Sequence, residues 1–318
     1  MGKDSTACAG IDTSKRKLDV TVSSSLDQLQ VANAVNGHKE LVTWLQYRGV
    51  TRVGIEATGG YERDVVAELR AAGFEVIVFQ PGQVRAYAKF RLRRAKNDKI
   101  DADVIADCTA AMKGVYAPPD PRLAPFAEHL TMIDQITEDI VHCKNRLESC
   151  RDERIRRYWE AEISRLERVK KDELKLLVAA IRQHADLAKR LELIESVDGV
   201  GVPTAVAILV RMPEIGQIGH EQAAALAGLA PFDHDSGEHR GARRIAGGRK
   251  RLRRALFLAA FSASSHGWNP ALKAMYQRLR TAGKEHKLAV IACARKLLTY
   301  VNAVVARGAA WSEIPSNA

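Results

Sequence analysis

Cysteine is scarce and scattered. There are five (Cys8, Cys108, Cys143, Cys150 and Cys293), an odd number with no Cys-x-x-Cys pair. A disulfide framework and a structural zinc site are both disfavoured; reduced thiols in a cytosolic protein are the simple reading. Long uncharged runs are also missing. The longest stretch without Asp, Glu, Lys or Arg is 255–272, which contains Ser, His, Gly, Asn and Pro. A buried helix is expected there, not a membrane span. The N-terminus has no apolar signal core, so export is not expected. Proline and glycine vanish between 126 and 192, a segment rich in Glu, Arg and Leu. Acidic residues are in deficit, 38 against 49 Lys and Arg, which leaves a net charge of +11. With 318 residues, 46% apolar and 27% charged, the chain is neither disordered nor collagenous. At about 150 residues per domain, the length favours two domains.

The basic excess is clustered. Between Arg85 and Lys99 stand Arg85, Lys89, Arg91, Arg93, Arg94, Lys96 and Lys99 against one acid, Asp98. Between Arg240 and Arg254 stand Arg240, Arg243, Arg244, Arg249, Lys250, Arg251, Arg253 and Arg254 with no acid. Either cluster alone reads as a solvated face. Two of them on a basic chain point to nucleic acid.

Residues 7–112 alternate strand and helix. Ala7–Asp12 reads as a strand. Leu18, Val20 and Val22 alternate with Asp19, Thr21 and Ser23, the pattern of a half-buried strand. A third strand is expected near 29–36, then a helix over 38–47, a strand over 53–56, a helix over 61–72 and a strand over 74–80. Helices follow over 83–93 and 98–112. The order βββαβαβα, with three antiparallel strands first, is that of an RNase H-like fold. Tyr116–Pro125 carries four prolines and reads as a linker. Beyond it, Ile133, Ile136, Ile140, Cys143, Leu147 and Cys150 form a heptad seam. Periodicity fits an intramolecular hairpin and a dimerising coiled coil equally. From Leu193 onward the chain reads as helical. Asp198-Gly199-Val200-Gly201 is expected to make a tight hairpin whose amides can face a phosphate. The expected divisions are 1–120, an α/β domain; 121–192, a helical spacer; and 193–318, a mostly helical domain.

Four acids fall at informative places. Asp12 ends the first strand and Glu56 the fourth, which are neighbours in an RNase H-like sheet. Asp98 and Asp101 are three apart at a helix start, so they share a face, and Asp103 lies off it. Singly, each reads as a strand-end or N-cap residue. Together, such carboxylates repel unless cations neutralise them, and hard oxygen donors suit Mg²⁺, singly or as a pair. A second candidate is Ser236, before Gly237 in a loop beside the second basic cluster. It is a plausible nucleophile toward phosphate, with His234 or His239 as candidate bases. Alone, it reads more often as an ordinary loop serine.

The strings Gly10-Ile11-Asp12-Thr13-Ser14-Lys15, Ile55-Glu56-Ala57-Thr58-Gly59 and Asn97-Asp98-Lys99-Ile100-Asp101-Ala102 resemble the transposases of the insertion-sequence 110 family. So do Ala227-Gly228-Leu229-Ala230-Pro231, Ser236-Gly237 and Arg253-Arg254-Ala255-Leu256. The resemblance covers about 1–115 and 193–310. It implies an N-terminal RuvC-like domain with an acidic quartet, here Asp12, Glu56, Asp98 and Asp101. It also implies a C-terminal domain whose serine, here Ser236, forms a phosphoserine link to DNA. Also implied are a composite site across subunits of a homo-oligomer, donor and target DNA as substrates, and an element-encoded guide RNA that selects sequence by base pairing. The expected setting is a prokaryotic cytoplasm, associated with the nucleoid and not with a membrane. Two rivals remain at this point: a hydrolytic nuclease of the junction-resolvase kind, and a non-enzymatic architectural protein.

Overall fold

The computed structural model describes residues 7–23, 25, 27–91, 98–112, 120–232 and 244–311; of residues 98–100, 232 and 244 it describes the backbone alone. The chain divides into two compact units, 1–118 and 119–318.

The N-terminal unit is built on one mixed sheet. Strands β1 (Ala7–Thr13), β2 (Lys17–Val22) and β3 (Gln28–Ala32) form an antiparallel meander, while β4 (Val50–Glu56) and β5 (Glu75–Phe79) run parallel to β1. The spatial order is β3-β2-β1-β4-β5. This is the RNase H-like arrangement that the element order predicts. Helices α1 (Val35–Tyr47) and α2 (Arg63–Ala71) share a core with Ile11, Val20, Val53 and Ile55. Helix α3 (Pro81–Phe90) and helix α4 (Asp98–Ala111) pack with Ile77 and Phe79.

Helix α4 lies directly on β1 and β4. A Cβ at Gly10 would collide with backbone atoms of Ala102 and Ala106, and one at Gly54 with the Thr109 hydroxyl and the Phe79 ring. Two glycines on adjacent strands thus let a helix approach closer than side chains allow. The same packing corrects the reading of β2 as half-buried: Asp19 and Thr21 are buried, because α4 also covers that strand.

The C-terminal unit is helical. Helices α5 (Leu123–Ser149) and α6 (Glu153–Arg182) form a hairpin. Ile140 and Cys143 bury against Ile163 and Leu166, with Ile136, Leu147 and Trp159 packed on them. The heptad seam is therefore filled within one chain. Pro125 is not in a linker; it occupies the first turn of α5, where a missing N–H costs no helical bond. At the hairpin base, Leu123, Phe126, Leu130, Leu177 and Ile181 enter the main core. There they join α7 (Ala185–Glu195), α8 (Val202–Arg211), α9 (His220–Ala227), α10 (Lys250–His266), α11 (Pro270–Thr281) and α12 (His286–Arg307). The segments expected as 121–192 and 193–318 thus share one core. Helix α12 is long and apolar enough to cross a membrane by composition, yet Val290, Cys293, Leu297, Val301 and Val304 are buried in that core. A short ribbon, β6 (Pro231–Phe232) with β7 (Arg244–Ile245), closes the segment 233–243.

Candidate active site and nucleic-acid interface

Pairing in the sheet places two of the acids. Ile11 pairs with Ile55, so the next residues, Asp12 and Glu56, end adjacent parallel strands. Side chains alternate faces along a strand, so Asp12 shares a face with Gly10, and Glu56 with Gly54. That is the face against which α4 packs. Ala102, Ile105, Ala106 and Thr109 make its contact stripe, and Asp101, four residues before Ile105, lies one turn further toward the N-terminus. Asp103 is half-buried on the same helix, three residues before Ala106. Asp98 starts α4, and its side chain lies outside the described residues. Among the described residues, no three His, Cys, Asp or Glu side chains stand grouped to hold a metal ion. The donor set nevertheless suits a hard divalent cation: carboxylates from β1 and β4 share the face carrying the Asp98–Asp101 turn.

One acid on this face was missed. Asp19 sits directly across from Asp12 on β2. Gln30 donates from Nε2 to Asp19 Oδ1 at 2.5 Å, and Lys17 Nζ lies 3.0 Å from Oδ2. Asp19 is thereby neutralised within the sheet. A cavity of about 250 Å³ opens beside it, lined by Asp19, Thr21, Gln28, Gln30 and Ala102 among others.

The loops that follow the two acids are tied together. Asn33 Nδ2 donates to the Ser14 carbonyl at 2.9 Å and to the Tyr61 carbonyl at 3.0 Å. Its Oδ1 therefore accepts from His38 Nε2, at 2.7 Å, which fixes the proton on that nitrogen. Burial pushes the His38 pKa below its usual 6.5, against the attraction of Asp64 and Glu68. The Thr58–Gly60 turn is held by Glu62, whose Oε2 accepts from Thr58 N at 3.0 Å and Gly60 N at 2.9 Å. Burial raises the Glu62 carboxyl, but these amides and the Thr58 hydroxyl more than offset it and hold the pKa low. No local sequence signal marks Asn33 or His38; the contacts that matter come from 19 and 28 residues away.

Of the first basic cluster, Arg85, Lys89 and Arg91 are on α3 or at its end, and all three are exposed. Arg91 reaches Asp107 at 3.5 Å. Arg93, Arg94 and Lys96 lie outside the described residues. So do Ser236, His234, His239, Arg240 and Arg243, while Arg244 is placed by its backbone in β7.

The second cluster divides by its partners. Arg249 makes a bidentate pair with Glu214, at 2.8 and 2.6 Å. Burial raises the Glu214 carboxyl, and Arg249 with a backbone amide outweighs it, so the pKa is lowered. Arg251 lies 3.5 Å from Asp134, which also pairs with Arg211 at 2.6 Å. Arg253 donates to the carbonyls of Gly247 at 2.7 Å and Gly228 at 3.3 Å. Gly228 and Gly248 touch backbone to backbone, where neither tolerates a side chain. Arg253 and this glycine pair thus clamp the base of the ribbon that bounds Ser236. Among the described side chains of the cluster, Lys250 and Arg254 are the exposed ones. The acids that hold Arg249 and Arg251 are 35 or more residues away and have no local sequence signature.

The glycine hairpin is a connection between α7 and α8. Gly199, at φ +93°, turns its bare face onto Ala263 of α10, so packing accounts for that glycine. Gly201 is the N-cap of α8 and is exposed.

Two family models match the chain. One, for the DEDD transposases of the IS110 type, covers residues 9–153; the other, "Transposase IS116/IS110/IS902 family", covers 191–277. The chain is 29% identical over 319 residues to the pilin gene-inverting protein of Moraxella bovis, spanning 93% of this chain and 94% of that one. It is 35% identical over 117 residues to an insertion element IS110 protein of 43.6 kDa from Streptomyces coelicolor, covering 36% of this chain and 28% of that one. Among solved structures it is similar to Thermus thermophilus RuvC at 18% identity, over 35% of this chain and 83% of that one, with a TM-score of 0.25. That score bears no weight here, and the fold rests on the strand order itself. With both family models matching in the order that the motifs predict, the chain belongs to the IS110 family of transposases and is a DNA recombinase.

Proposed function

We propose that the protein cuts and rejoins DNA strands of a mobile element through Asp12, Glu56, Asp98 and Asp101 together with Ser236. The observation that carries this reading is the pairing of β1 with β4, which sets Asp12 and Glu56 on one face beside the start of α4. These four carboxylates would hold Mg²⁺, one ion or two, which supplies Lewis-acid stabilisation of charge on phosphodiester oxygens. The Ser236 oxygen bonds to phosphorus as the bond to the departing DNA oxygen breaks. The serine proton goes to a nearby base, and the departing oxygen takes one up. The phosphoserine is then attacked by the hydroxyl of the joining strand, which restores the serine. No water enters, so the phosphodiester energy is conserved for rejoining. Arg240, Arg243 and Arg244 balance the phosphate charge; Arg85, Lys89, Arg91, Arg93, Arg94, Lys96, Lys250 and Arg254 follow DNA backbones; Gly199 and Gly201 present amides. An element-encoded guide RNA selects the sites by base pairing, and a homo-oligomer assembles the composite site in the cytoplasm. Relatives named for gene inversion favour rejoining over plain hydrolysis, since inversion leaves no free ends.

The test is a denaturing gel of protein with labelled DNA and Mg²⁺. Wild type should leave a covalent adduct. Ser236→Ala should bind DNA but form neither adduct nor joined product, and Asp12→Ala or Glu56→Ala should do likewise. Cleavage by Ser236→Ala at the wild-type rate would replace the serine mechanism by hydrolysis.

A further inference from the structure

Helix α10 leads away from the ribbon that bounds Ser236, and its exposed side changes character along its length. The exposed residues Lys250, Arg254, Leu258, Phe261 and Ser265 recur at intervals of four, four, three and four, so they form one stripe. Leu258 is 55% exposed and Phe261 39%. Just past the helix, Trp268 is 61% exposed. Its ring stacks on His266, with centroids 5.2 Å apart and an interplanar angle of 26°. His266 is steadied by a contact from Nδ1 to the Ser262 carbonyl at 3.1 Å. Gly267, at φ +75°, ends the helix and brings the two rings to the same side. A Cβ there would stand 3.3 Å from Lys273 Nζ, so an ammonium lies beside the stacked pair.

The corner is rigid. Asn269 is buried, caps α11 by accepting from Leu272 N at 3.0 Å, and donates from Nδ2 to the Asp198 carbonyl at 2.9 Å. That bond pins the Gly199 hairpin against the α10–α11 turn. The Asp198 carboxylate accepts from Trp311 Nε1 at 3.3 Å. The chain segment that carries the stripe is strongly basic. Between His239 and Ser312 there are sixteen Lys and Arg and one acid, Glu285. That segment carries +15 and the remainder −4, so it accounts for the whole basic excess of the chain.

We propose that the exposed stripe of α10, from Lys250 to the Trp268 corner, is a track for an unpaired nucleic-acid strand, its bases stacking on Trp268 and Phe261 and its phosphates following Lys250, Arg254 and Lys273. Aromatic faces interleaved with cations suit unpaired strands, because every base has a stacking face that a duplex hides. The helix is about 25 Å long, so a strand leaving the Ser236 ribbon would be held as it departs. The proposal rests on the nucleic-acid reading above and adds a second, non-catalytic contact.

The experiment measures fluorescence anisotropy of labelled single strands of about twelve nucleotides, oligo(dT) and oligo(U), and of a duplex of equal length, with the full-length protein. Trp268→Ala should weaken binding to at least one single strand by about 5- to 150-fold, the span of one base–aromatic stack. Trp268→Phe should restore most of the loss, and the duplex affinity should change less than about twofold. The single strand that responds identifies DNA or RNA as the occupant. Unchanged single-strand affinity in Trp268→Ala, or an equal loss on the duplex, would overturn the proposal. A changed solution mass for Trp268→Ala with unchanged strand affinity would also overturn it and assign the face to a second copy. Trp268→Ala should still form the Ser236 adduct on a duplex substrate. Failure of the track thus leaves the adduct in place, whereas failure of the serine mechanism leaves single-strand affinity in place.

Discussion

At the residue scale, Asp19 lies across from Asp12 in the sheet. Asp19 is matched by Lys17 and Gln30 and is buried. It should therefore shape the face without joining the chemistry. Asp19→Asn is expected to keep strand-transfer rate within about tenfold of wild type, while Asp12→Asn abolishes it; equal losses would make Asp19 a working member. The glycines under α4 make a sharper structural claim. Gly10→Ala forces a methyl into the backbone of Ala102 and Ala106 and should destabilise the protein by about 1–3 kcal/mol, in the manner of an overpacked core. Gly82→Ala, on the open side of α3, meets nothing and should be neutral or slightly stabilising. Thermal melts of the pair test the claim directly. The His38 contact adds a pH signature. Its folded pKa is lowered, so between that value and 6.5 the unfolded chain binds more protons, and stability falls as pH falls through this window. Below the folded pKa the penalty is complete and adds no further slope. His38→Gln should flatten the fall in melting temperature between pH 7 and pH 5. An unchanged slope would place the acid sensitivity elsewhere.

Periodicity reveals elements better than it reveals their partners. The strand order was legible because alternation in β2 and the apolar strings of β1, β4 and β5 mark strands, and chain order leaves few topologies. The pairing of Asp12 with Glu56 followed from that order. The heptad seam was equally legible, but not what fills it, since knobs from a second chain and from α6 leave the same trace in α5. The structure fills it with Ile163, Leu166 and Trp159. Ile140→Lys should therefore lower the melting temperature in a concentration-independent way, because the damage is internal to the hairpin. A melting temperature that depends on protein concentration in wild type and not in the variant would return the seam to an interchain role. The basic cluster at the start of α10 was legible as charge but not as function. Arg249 and Arg253 proved to be an ion pair and a backbone clamp, and their partners are remote in sequence or are bare carbonyls.

For the whole molecule, the two units divide the acids of the sheet from most of the basic excess. Residues 1–118 carry the carboxylates on their own sheet and core. Residues 119–318 carry another core and the segment that holds the basic excess. Each has a buried apolar core of its own, and each fragment is expected to melt cooperatively when expressed by itself. Nonspecific affinity for DNA comes from phosphates neutralised, at about 0.9 log units per log unit of salt for each one. The slope should therefore draw on both units, on 1–118 through Arg85, Lys89 and Arg91 and on 119–318 through Lys250 and Arg254. Within that fragment, Lys250→Gln with Arg254→Gln should reduce the slope by about two contacts' worth, roughly 1.8 log units per log unit of salt. Arg249→Gln should reduce it little, because that guanidinium is committed to Glu214, and should lower the melting temperature instead. An Arg249 effect on salt dependence equal to that of Arg254 would mean that DNA breaks the internal ion pair on binding and draws on the whole cluster.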